Sequence, residues 1–387
     1  MRIKDIGNIN ARVLRENTPQ DYTFQYIDIS SVSSSGQISL SEPMRYNESP
    51  SRARRIVIKN DVIVSTVRTY LRAIAGIDWN AKDIIASTGF AVISPAKKYD
   101  PAYVKYLMTS NAVVDEICKE STGVSYPAIS SSRLSAIHIP VASLREQKNI
   151  ATYLDKQINS INERICLRER ELQTLIKLKQ SEINSVVTRG LNPAVPMKDS
   201  GIDWIGQIPA HWQVRQLKSC VNINNGRDYK DIEVEEGEGY PVLGSGGVFA
   251  YASQYMYDGE VLLLGRKGTI DKPQYYNGKF WAVDTIFYAI PSRGVICKFM
   301  YYLSLTLPIK KFSTATALPS MTQTEYGKIL VPLPPLEEQR AIVDYLDGKY
   351  ERIDAFIANI NAQIDKLKLL KKALINEVVT GQRPITQ

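Results

Sequence analysis

The sequence predicts an α+β fold in which two globular α/β domains are separated by two long antiparallel helices that pair as a coiled coil. Three observations predict it: a segment that occurs twice, a heptad pattern of apolar residues within that segment, and short β-branched runs outside it. The two copies span residues 139–188 and 331–380 and align without a gap at an offset of 192 positions, about half of 387. The chain is therefore interpreted as an internal duplication with pseudo-two-fold symmetry.

Both copies carry the signals of long helices. Identical residues recur along them at Pro140/Pro332, Leu144/Leu336, Glu146/Glu338, Gln147/Gln339, Ile150/Ile342, Tyr153/Tyr345, Leu154/Leu346, Asp155/Asp347, Ile161/Ile353 and Ile165/Ile357. Ser143 followed by Glu146 is a capping box, and Pro334-Pro335 precedes Leu336, where a helix can begin. From Leu144 to Thr188 and from Leu336 to Thr380, the predicted helices contain no proline and no glycine except Gly348.

Apolar residues in both copies alternate spacings of three and four, which is the pattern that two helices bury against each other. The predicted seam residues of the first copy are Leu154, Ile158, Ile161, Ile165, Leu172 and Leu175. Those of the second copy are Leu346, Tyr350, Ile353, Ile357, Ile360, Ile364 and Leu367. Arg168 stands where the second copy has Ile360, so the first seam carries one polar interruption.

The length of the helices predicts how they pair. A helix of about 44 residues at 1.5 Å per residue would extend roughly 65 Å, which is too long for one globular core, so each helix needs a partner. Antiparallel pairing is favoured, because parallel pairing would force the second globular domain to span the whole helix. The predicted segments are a globular domain at 1–138, a long helix at 139–192, a globular domain at 193–330 and a long helix at 331–387.

The two globular segments follow a similar order of elements. Strands are predicted at FQYIDISSV, RRIVI, DVIVSTV and FAVIS, with one helix at PAYVKYLMTSNAVVDEIC. In the second segment, strands are predicted at YPVLGS, EVLLLG and FWAVDTIFYAI, with a helix at CKFMYYLSLTL. DVIVSTVRTYL parallels EVLLLGRKGTI, which places Arg68 opposite Lys267, and STGVSYPAIS parallels STATALPSMT.

Composition excludes several classes of protein. Four cysteines, at 118, 166, 220 and 297, show no CxxC or Cys/His spacing, which argues against a disulfide framework and against a zinc site. The N-terminus has no apolar signal core, and no run of about 18 apolar residues occurs. A reduced cytoplasmic protein without a membrane segment is expected.

Candidate catalytic residues are few. His138 and His211 have no companion nucleophile in the sequence, and GSGG and GRKGT lack the spacing of a nucleotide-phosphate loop. Asn192-Pro193 is followed by Ala194 and not by the aromatic residue that a base-methylating site needs. The repeated Glu-Gln pairs are interpreted as caps of the first helical turn. No catalytic residue, metal ion or bound cofactor is predicted for this chain.

Contact with nucleic acid is easier to support. The net charge is +8 and the isoelectric point is about 9.1, which suits an anionic partner. Basic, tyrosine and hydroxyl side chains cluster near predicted turns, where they could contact phosphates or base edges. The candidate DNA-binding residues are Arg52, Arg54, Arg55, Arg68, Tyr70, Arg72, Lys97, Lys98, Arg227, Arg266, Lys267, Thr269, Lys310 and Lys311. For each of them, a solvated surface charge or side chain is the alternative interpretation.

This combination resembles the specificity subunit of type I restriction-modification systems over nearly the whole chain. The most specific pieces are the helix openings ASLREQ and PPLEEQ, the Tyr-Leu-Asp that follows each, and SGIDWIGQIPAHWQVRQLK. The first globular segment lacks a motif like SGIDWIGQIPAHW, which is a departure from the family pattern.

The resemblance implies two target-recognition domains that each read one half of a bipartite site in double-stranded DNA, with paired helices that fix the unread gap. It also implies two modification subunits that supply adenine methylation with S-adenosylmethionine, and restriction subunits that use ATP and magnesium. The chain itself would be a non-catalytic subunit of that complex. The alternatives are a coiled-coil scaffold whose heads bind proteins, and a nuclease or methyltransferase that acts alone.

Overall fold

The computed structural model of the chain describes residues 1–312 and 319–385. Contacts divide the chain into two compact units: unit 1 is Met1–Glu169 with Ala362–Gln387, and unit 2 is Arg170–Asn361. Two long helices, numbered with the others in chain order, are α5 (Leu144–Arg189) and α10 (Leu336–Val379). Each unit therefore combines one globular part with a portion of both long helices.

The predicted starts of both long helices are confirmed. Helix α10 begins directly after Pro335. Before α5, the backbone N–H and the hydroxyl of Ser143 donate to Oε2 of Glu146 at 2.9 and 2.7 Å, which completes the capping box. These hydrogen bonds lower the pKa of the Glu146 carboxyl. Both helices are followed by a glycine in the left-handed region, Gly190 at φ 76° and Gly381 at φ 74°, which is a common helix end.

In unit 1 the start of α5 packs against the end of α10. Ile150, Leu154 and Ile158 share an apolar cluster with Ile375 and Val378. Further along, Nζ of Lys371 donates to Oδ1 of Asn162 at 3.0 Å. Because early residues of one helix meet late residues of the other, this pair is antiparallel.

In unit 2 the end of α5 packs against the start of α10. Ile183 and Val187 share a cluster with Ile342 and Leu346. Three polar contacts reinforce the pair: Lys179 Nζ to Asp354 Oδ1 at 2.5 Å, Lys349 Nζ to Glu182 Oε1 at 2.5 Å, and Tyr345 Oη to the same Glu182 oxygen at 2.7 Å. The pairing is again antiparallel, as the sequence predicted.

The predicted seam faces inward on both helices. Its buried members are Leu154, Ile158, Ile161, Leu346, Tyr350, Ile360 and Ile364. Its partly buried members are Ile165, Leu172, Leu175, Ile353, Ile357 and Leu367. Off-seam apolar residues of the same stretches, such as Leu178 at 60% and Phe356 at 63%, remain exposed, so the heptad pattern and not apolarity alone decides burial.

The globular part of unit 1 contains two four-stranded sheets and short helices. Its strands are β1 Gly7–Ile9, β2 Thr23–Ile27, β3 Met44–Arg45, β4 Ala53–Ile56, β5 Val62–Ser65, β6 Ile74–Gly76, β7 Ile84–Ser87 and β8 Phe90–Pro95. Its helices are α1 Ile3–Ile6, α2 Pro101–Thr109, α3 Asn111–Lys119 and α4 Ser131–Ala136. One sheet has the order β1-β8-β5-β6, and the other has the order β3-β2-β7-β4.

Strand β5 is buried on both faces. Val62 and Val64 join the cluster that contains the long helices, whereas Ile63, one position along, joins the cluster formed with the second sheet. The first sheet is therefore the middle layer of unit 1, with the long helices on one side and the second sheet on the other.

The prediction of a single helix over PAYVKYLMTSNAVVDEIC is wrong. Ser110 divides it into α2 and α3, because Ser110 is extended at φ −63° and ψ 149°. The buried Ser110 hydroxyl donates to the carbonyl of Leu107 at 2.7 Å, which satisfies one of the free carbonyls at the end of α2.

The globular part of unit 2 is built around one seven-stranded sheet. Its strands are β9 Met197–Asp199, β10 Gln207–Pro209, β11 Gln213–Gln216, β12 Val221–Asn225, β13 Glu233–Val234, β14 Tyr240–Gly244, β15 Gly247–Ala252, β16 Tyr257–Gly265, β17 Gln274–Ala282, β18 Ile286–Pro291 and β19 Leu330–Leu333. Its helices are α6 Leu217–Cys220, α7 Cys297–Ser304, α8 Ile309–Phe312 and α9 Gln323–Lys328. The large sheet has the order β12-β18-β16-β17-β14-β15-β13, and the pairs β10-β9 and β11-β19 form two small sheets.

Strand β17 explains why unit 2 has one large sheet. It pairs with β16 through Gln274 and with β14 through Trp281, so one strand of nine residues joins both halves. In unit 1 the corresponding pairings are divided between β6, which pairs with β5, and β7, which pairs with β2. The interruption between Gly76 and Ile84 separates the two sheets there.

Candidate nucleic-acid interface

A strand-to-loop junction is built in the same way in both units. In unit 1 the N–H of Arg68 donates to Pro127 O at 2.7 Å, and the carbonyl of Thr66 accepts from Ile129 N–H at 2.8 Å. In unit 2 the N–H of Gly268 donates to Pro319 O at 2.8 Å, and the carbonyl of Arg266 accepts from Met321 N–H at 3.0 Å. Pro127 and Pro319, like Ile129 and Met321, are 192 positions apart, so the junction belongs to the duplication.

These hydrogen bonds correct the predicted match between Arg68 and Lys267. Arg68 is equivalent to Gly268, and Lys267 is equivalent to Val67, one position earlier than the sequence comparison had it. Both Arg68 and Gly268 have left-handed backbones, at φ 51° and 75°. Glycine adopts this conformation without strain, whereas arginine holds it at a cost of about 1 kcal/mol or more.

In unit 1 the junction forms an exposed basic edge. The exposed Arg68 guanidinium lies 4.5 Å from the ring centroid of Tyr126, which is itself 61% exposed. Exposed Arg52 joins the same edge, because its carbonyl accepts from Thr88 N–H and the next residue, Gly89, accepts from Thr66 N–H, both at 2.8 Å. Tyr70, 55% exposed, lies two residues after Arg68. This edge presents cations and aromatic rings that suit phosphates and bases.

Three other arginines predicted to bind DNA in unit 1 are engaged within the protein itself, by hydrogen bonds, ring contacts or burial. Arg72 donates to Asn111 Oδ1 at 2.7 Å and to Asp115 Oδ1 at 3.1 Å. Arg54 lies 5.1 Å from the Tyr46 ring centroid and donates to a neighbouring carbonyl. Arg55 is partly buried, and burial lowers the pKa of its guanidinium. These contacts favour structural roles for them.

Lys97 and Lys98 are not brought together with Arg68. They follow β8, whose first residue, Phe90, pairs with Ser65 and whose last residue, Pro95, pairs with Gly7. The six residues of β8 separate its two ends by about 16 Å. Both lysines are exposed, and Lys98 lies over the ring of Tyr99 at the end of the sheet remote from the basic edge.

In unit 2 the corresponding edge contains Arg227 and Arg266. The N–H of Arg227 donates to Ala282 O at 2.8 Å, and the N–H of Arg266 donates to Thr285 O at 2.9 Å, so both flank the loop at 282–285. Both side chains are exposed, and Arg266 also contacts the carbonyl of Asp284 at 3.3 Å.

A cavity of about 370 Å³ opens beside these arginines. The turn at 244–247 between β14 and β15 forms one wall, and Asp228, Tyr229, Asp284 and Thr285 line the rest. Phe249, also in the lining, is 56% exposed and contacts Tyr229 edge to face at 5.5 Å. A carboxylate can accept a hydrogen bond from a base amino group, and an aromatic ring can stack on a base. The sequence analysis missed this cavity because its lining comes from loops far apart in the chain.

The remaining candidates of unit 2 surround the junction. Lys267 is exposed, whereas Oγ1 of Thr269 is buried and finds no hydrogen-bond partner within residues 1–312 and 319–385. Lys311 is exposed in α8; the side chain of Lys310, in the same helix, lies outside the described part of the structure. Residues 313–318 of the predicted STATALPSMT parallel also lie outside the described residues.

The repeated glutamines have a role that the sequence analysis missed. Gln147 and Gln339 are 1% and 0% exposed. Oε1 of Gln147 accepts from Asp100 N–H at 2.9 Å, and Oε1 of Gln339 accepts from Ile296 N–H at 2.8 Å. Asp100 and Ile296 are the N-cap residues of α2 and α7, so each glutamine joins a long helix to a helix of its globular part. The repetition of the glutamine in both long helices was the sequence signal for this role. The capping role predicted for the two glutamines was wrong.

The repeated acidic residues also act as anchors. Asp155 accepts from Tyr106 Oη at 2.6 Å, and Asp347 accepts from Tyr302 Oη at 2.5 Å. Glu338 does not complete a capping box like that of Glu146: its Oε2 accepts from Trp212 Nε1 at 2.9 Å, and its Oε1 lies 2.5 Å from His211 Nε2. The assignment of Glu338 to helix capping is therefore wrong, and the histidine is a structural partner.

The described residues lack two kinds of feature, a membrane-spanning helix and a metal-binding cluster. Within residues 1–312 and 319–385, no helix has both the length and the apolar character that a bilayer crossing requires. In the same part of the chain, no three His, Cys, Asp or Glu side chains group closely enough to hold a metal ion.

Known proteins resemble this chain over most of its length. The type I restriction enzyme MjaVIII specificity subunit of Methanocaldococcus jannaschii is 26% identical over 339 residues, 78% of this chain and 74% of the relative. The StySPI specificity subunit of Salmonella potsdam is 21% identical over 314 residues, 75% of this chain and 67% of the relative. A chain from a solved structure on complex assembly and conformational transition of the type I R-M system has the same fold, with a TM-score of 0.71, 22% identity and coverage of 99% and 97%.

The family model described as type I restriction modification DNA specificity domain matches residues 1–167 and 209–366. These ranges include the basic edges of both units and the duplicated junctions that build them. The chain therefore belongs to the type I restriction-modification DNA specificity family.

Proposed function

We propose that this chain directs a type I restriction-modification complex to a bipartite DNA site, with the globular part of each unit reading one half. The observation that carries the proposal is the duplicated junction, which gives each unit an exposed basic edge on the same type of helix-supported scaffold. Family membership supports DNA as the ligand. A scaffold protein whose heads bind only proteins is not favoured.

In this proposal, one set of residues contacts phosphates and another set reads base edges. Arg52 and Arg68 in unit 1, and Arg227, Arg266 and Lys267 in unit 2, contact phosphates. The cavity beside Arg266 reads base edges, with Asp228 and Asp284 as acceptors for amino groups such as that of cytosine. Replacing Asp228 by asparagine should then change the preferred bases in one half of the site and leave the other half unaltered.

Partner subunits supply the chemistry. Two modification subunits would methylate adenine with S-adenosylmethionine, and restriction subunits would use ATP and magnesium. The pairing of His211 with Glu338 supports a structural role for that histidine. The chain itself is proposed to be non-catalytic and to work in the cytoplasm.

The long helices set the unread gap in this proposal, because their duplicated seams fix how α5 and α10 align. Deleting one heptad from both helices should shorten the gap and preserve both half-sites. A variant with altered half-sites and an unchanged gap would contradict the role of the helices.

Methylome sequencing tests the function directly. Deletion of this gene from the source cell should remove one bipartite adenine-methylation motif, and the wild-type gene should restore it. Purified chain should also shift random duplex DNA in a salt-dependent manner. An unchanged methylome together with no DNA binding at low salt would refute the proposal.

A further inference from the structure

The basic edge of unit 1 carries a short loop, residues 122–128, that is closed on itself. The N–H of Thr122 donates to Ala128 O, and the N–H of Ala128 donates to Thr122 O, both at 2.9 Å. Gly123 has φ 114°, and a Cβ added there would stand 3.1 Å from the carbonyl oxygen of Tyr126. Loop 122–128 therefore approaches its own backbone closely at a position that favours glycine.

Neighbouring segments anchor this loop at both ends. At its end, Ala128 forms a β-bridge with Val67. Just before its start, the Ser121 hydroxyl donates to Ile117 O at 2.7 Å, so it accepts from the hydroxyl of buried Thr69 at 2.9 Å. The loop is thus ordered by the protein itself, which lowers the entropic cost of a contact made by its tip.

Val124 lies near the tip of the loop and contacts almost nothing within the protein. It is 102% exposed, whereas no other exposed large apolar residue among residues 1–312 and 319–385 exceeds 65%. Folding therefore removes none of its apolar surface from water, and the whole side chain is available to a ligand.

Arg68 connects the loop to the proposed DNA surface. Its guanidinium lies 4.5 Å from the ring centroid of Tyr126, which follows Val124 by two residues. A cation at this distance suits a phosphate next to the loop. The bases nearest that phosphate then lie within reach of the loop tip.

The composition of the loop restricts what it can read. Between Gly123 and Pro127 it presents Val124, Ser125 and Tyr126, which are all exposed and include no charged or amide side chain. It therefore lacks the groups that pair with guanine, adenine or cytosine through two hydrogen bonds or a carboxylate. The apolar group that a base presents in the major groove is the C5 methyl of thymine.

We infer that Val124 reads thymine in the half-site of unit 1 by packing against its C5 methyl group. The inference rests on the proposed function, and it adds a base contact to a unit for which only phosphate contacts were assigned. Arg68 holds the phosphate, and the anchored loop sets the distance from that phosphate to the base.

The probe for the test is a fluorescein-labelled duplex with the bipartite motif found by methylome sequencing, in which uracil replaces the thymines of one half. Uracil pairs like thymine and lacks only the C5 methyl group. Fluorescence anisotropy with the full chain should show roughly fourfold weaker binding when the half read by unit 1 is substituted, which is the value of one methyl group removed from water.

Val124→Ala should lose this penalty for uracil in one half and keep its response to the other half. Val124→Ile should retain the penalty, because it keeps an apolar side chain at the loop tip. Leu167→Ala is the matched control and should behave like the wild type, since Leu167 is a 63% exposed apolar residue of α5 and not of the basic edge.

Equal binding of thymine and uracil duplexes by the wild type, in both halves, would overturn the inference and leave the proposed function intact. An unchanged uracil penalty in Val124→Ala would also overturn it and would assign the exposed valine to a contact other than DNA. Failure of the gene deletion to remove a methylation motif would refute the proposed function and this inference with it.

Discussion

The two units share their inner contacts and differ in their outer layers. In both, a buried glutamine of a long helix accepts from the N-cap N–H of a globular helix, and an aspartate eight residues later accepts from a tyrosine. Beyond the middle sheet, unit 1 has a separate four-stranded sheet, whereas unit 2 extends into one sheet of seven strands. The layer against the long helices is therefore fixed by the duplication, and the outer layer is where the two units can read different DNA.

The largest effect is expected when a shared inner contact is removed. Gln339→Leu leaves Ile296 N–H and the carbonyl of Pro334 without their partners inside the protein. Buried unpaired groups of this kind should lower the free energy of unfolding of unit 2 by about 2–4 kcal/mol. Urea unfolding followed by tryptophan fluorescence measures it, because Trp204, Trp212 and Trp281 all lie in unit 2. Gln173→Leu, at an exposed position of α5, should change little; equal losses in the two variants would contradict the role of the glutamine.

A smaller effect should distinguish the two equivalent glutamates. Glu338→Ala removes the acceptor of the buried Trp212 indole and should cost unit 2 about 1–2 kcal/mol. Glu146→Ala removes only an exposed capping box, so its loss of stability should be the smaller one. Thermal unfolding of both variants tests this difference. A larger loss for Glu146→Ala than for Glu338→Ala would contradict this difference between the two glutamates.

Arg68→Gly separates binding from stability. Glycine is the residue that unit 2 has at the equivalent position, and it relieves the left-handed strain of Arg68. Stability should be preserved, whereas affinity for duplex DNA should fall and the salt slope should flatten by about one unit. Mobility shifts at several salt concentrations measure both, with Lys97→Ala as the control from the remote end of the sheet. An unchanged salt slope would indicate that Arg68 is an ordinary surface residue that contacts no phosphate.

Alanine at Arg266 and Lys267 tests the edge of unit 2 in the same assay. Each lost phosphate contact should flatten the salt slope by about one unit, so the double variant should flatten it by about two. Lys230→Ala, which removes an exposed lysine paired with Glu233, is the control. A control that weakens binding as much would mean that the effect comes from net charge alone.

The smallest effect concerns acid. Hydrogen bonds from Lys349 and Tyr345 lower the pKa of Glu182 in unit 2, whereas the equivalent position in unit 1 is the buried Leu374. A carboxyl with a lowered folded pKa stabilises above its unfolded value of about 4.3 and loses that contribution as the pH falls through the folded pKa. Glu182→Gln should therefore reduce the stability of unit 2 at neutral pH and weaken its decline on acidification. Urea midpoints at pH 7 and at pH 3.5 measure this; parallel declines would contradict it.

The long helices could be predicted because their signals are local and periodic. The strand register could not, because β5 and β16 are apolar at successive positions, so alternation gives no guide to which residues face the helices. The structure shows Val62 and Val64 on the helix side in unit 1, and Leu262 and Leu264 on that side in unit 2. This register makes Arg68 equivalent to Gly268 and not to Lys267. The cavity beside Arg266 and the glutamine anchors depend on tertiary contacts that no sequence spacing encodes.

The glutamine anchors have a consequence for how such proteins change. Gln147 and Gln339 contact main-chain N–H groups of Asp100 and Ile296, and a main-chain donor is present whatever side chain the residue bears, proline excepted. Any domain that presents a helix start at this point can be held by the same amide. A change in the sequence of either helix start therefore leaves this attachment intact, so the globular parts can diverge while their connection to the long helices stays the same.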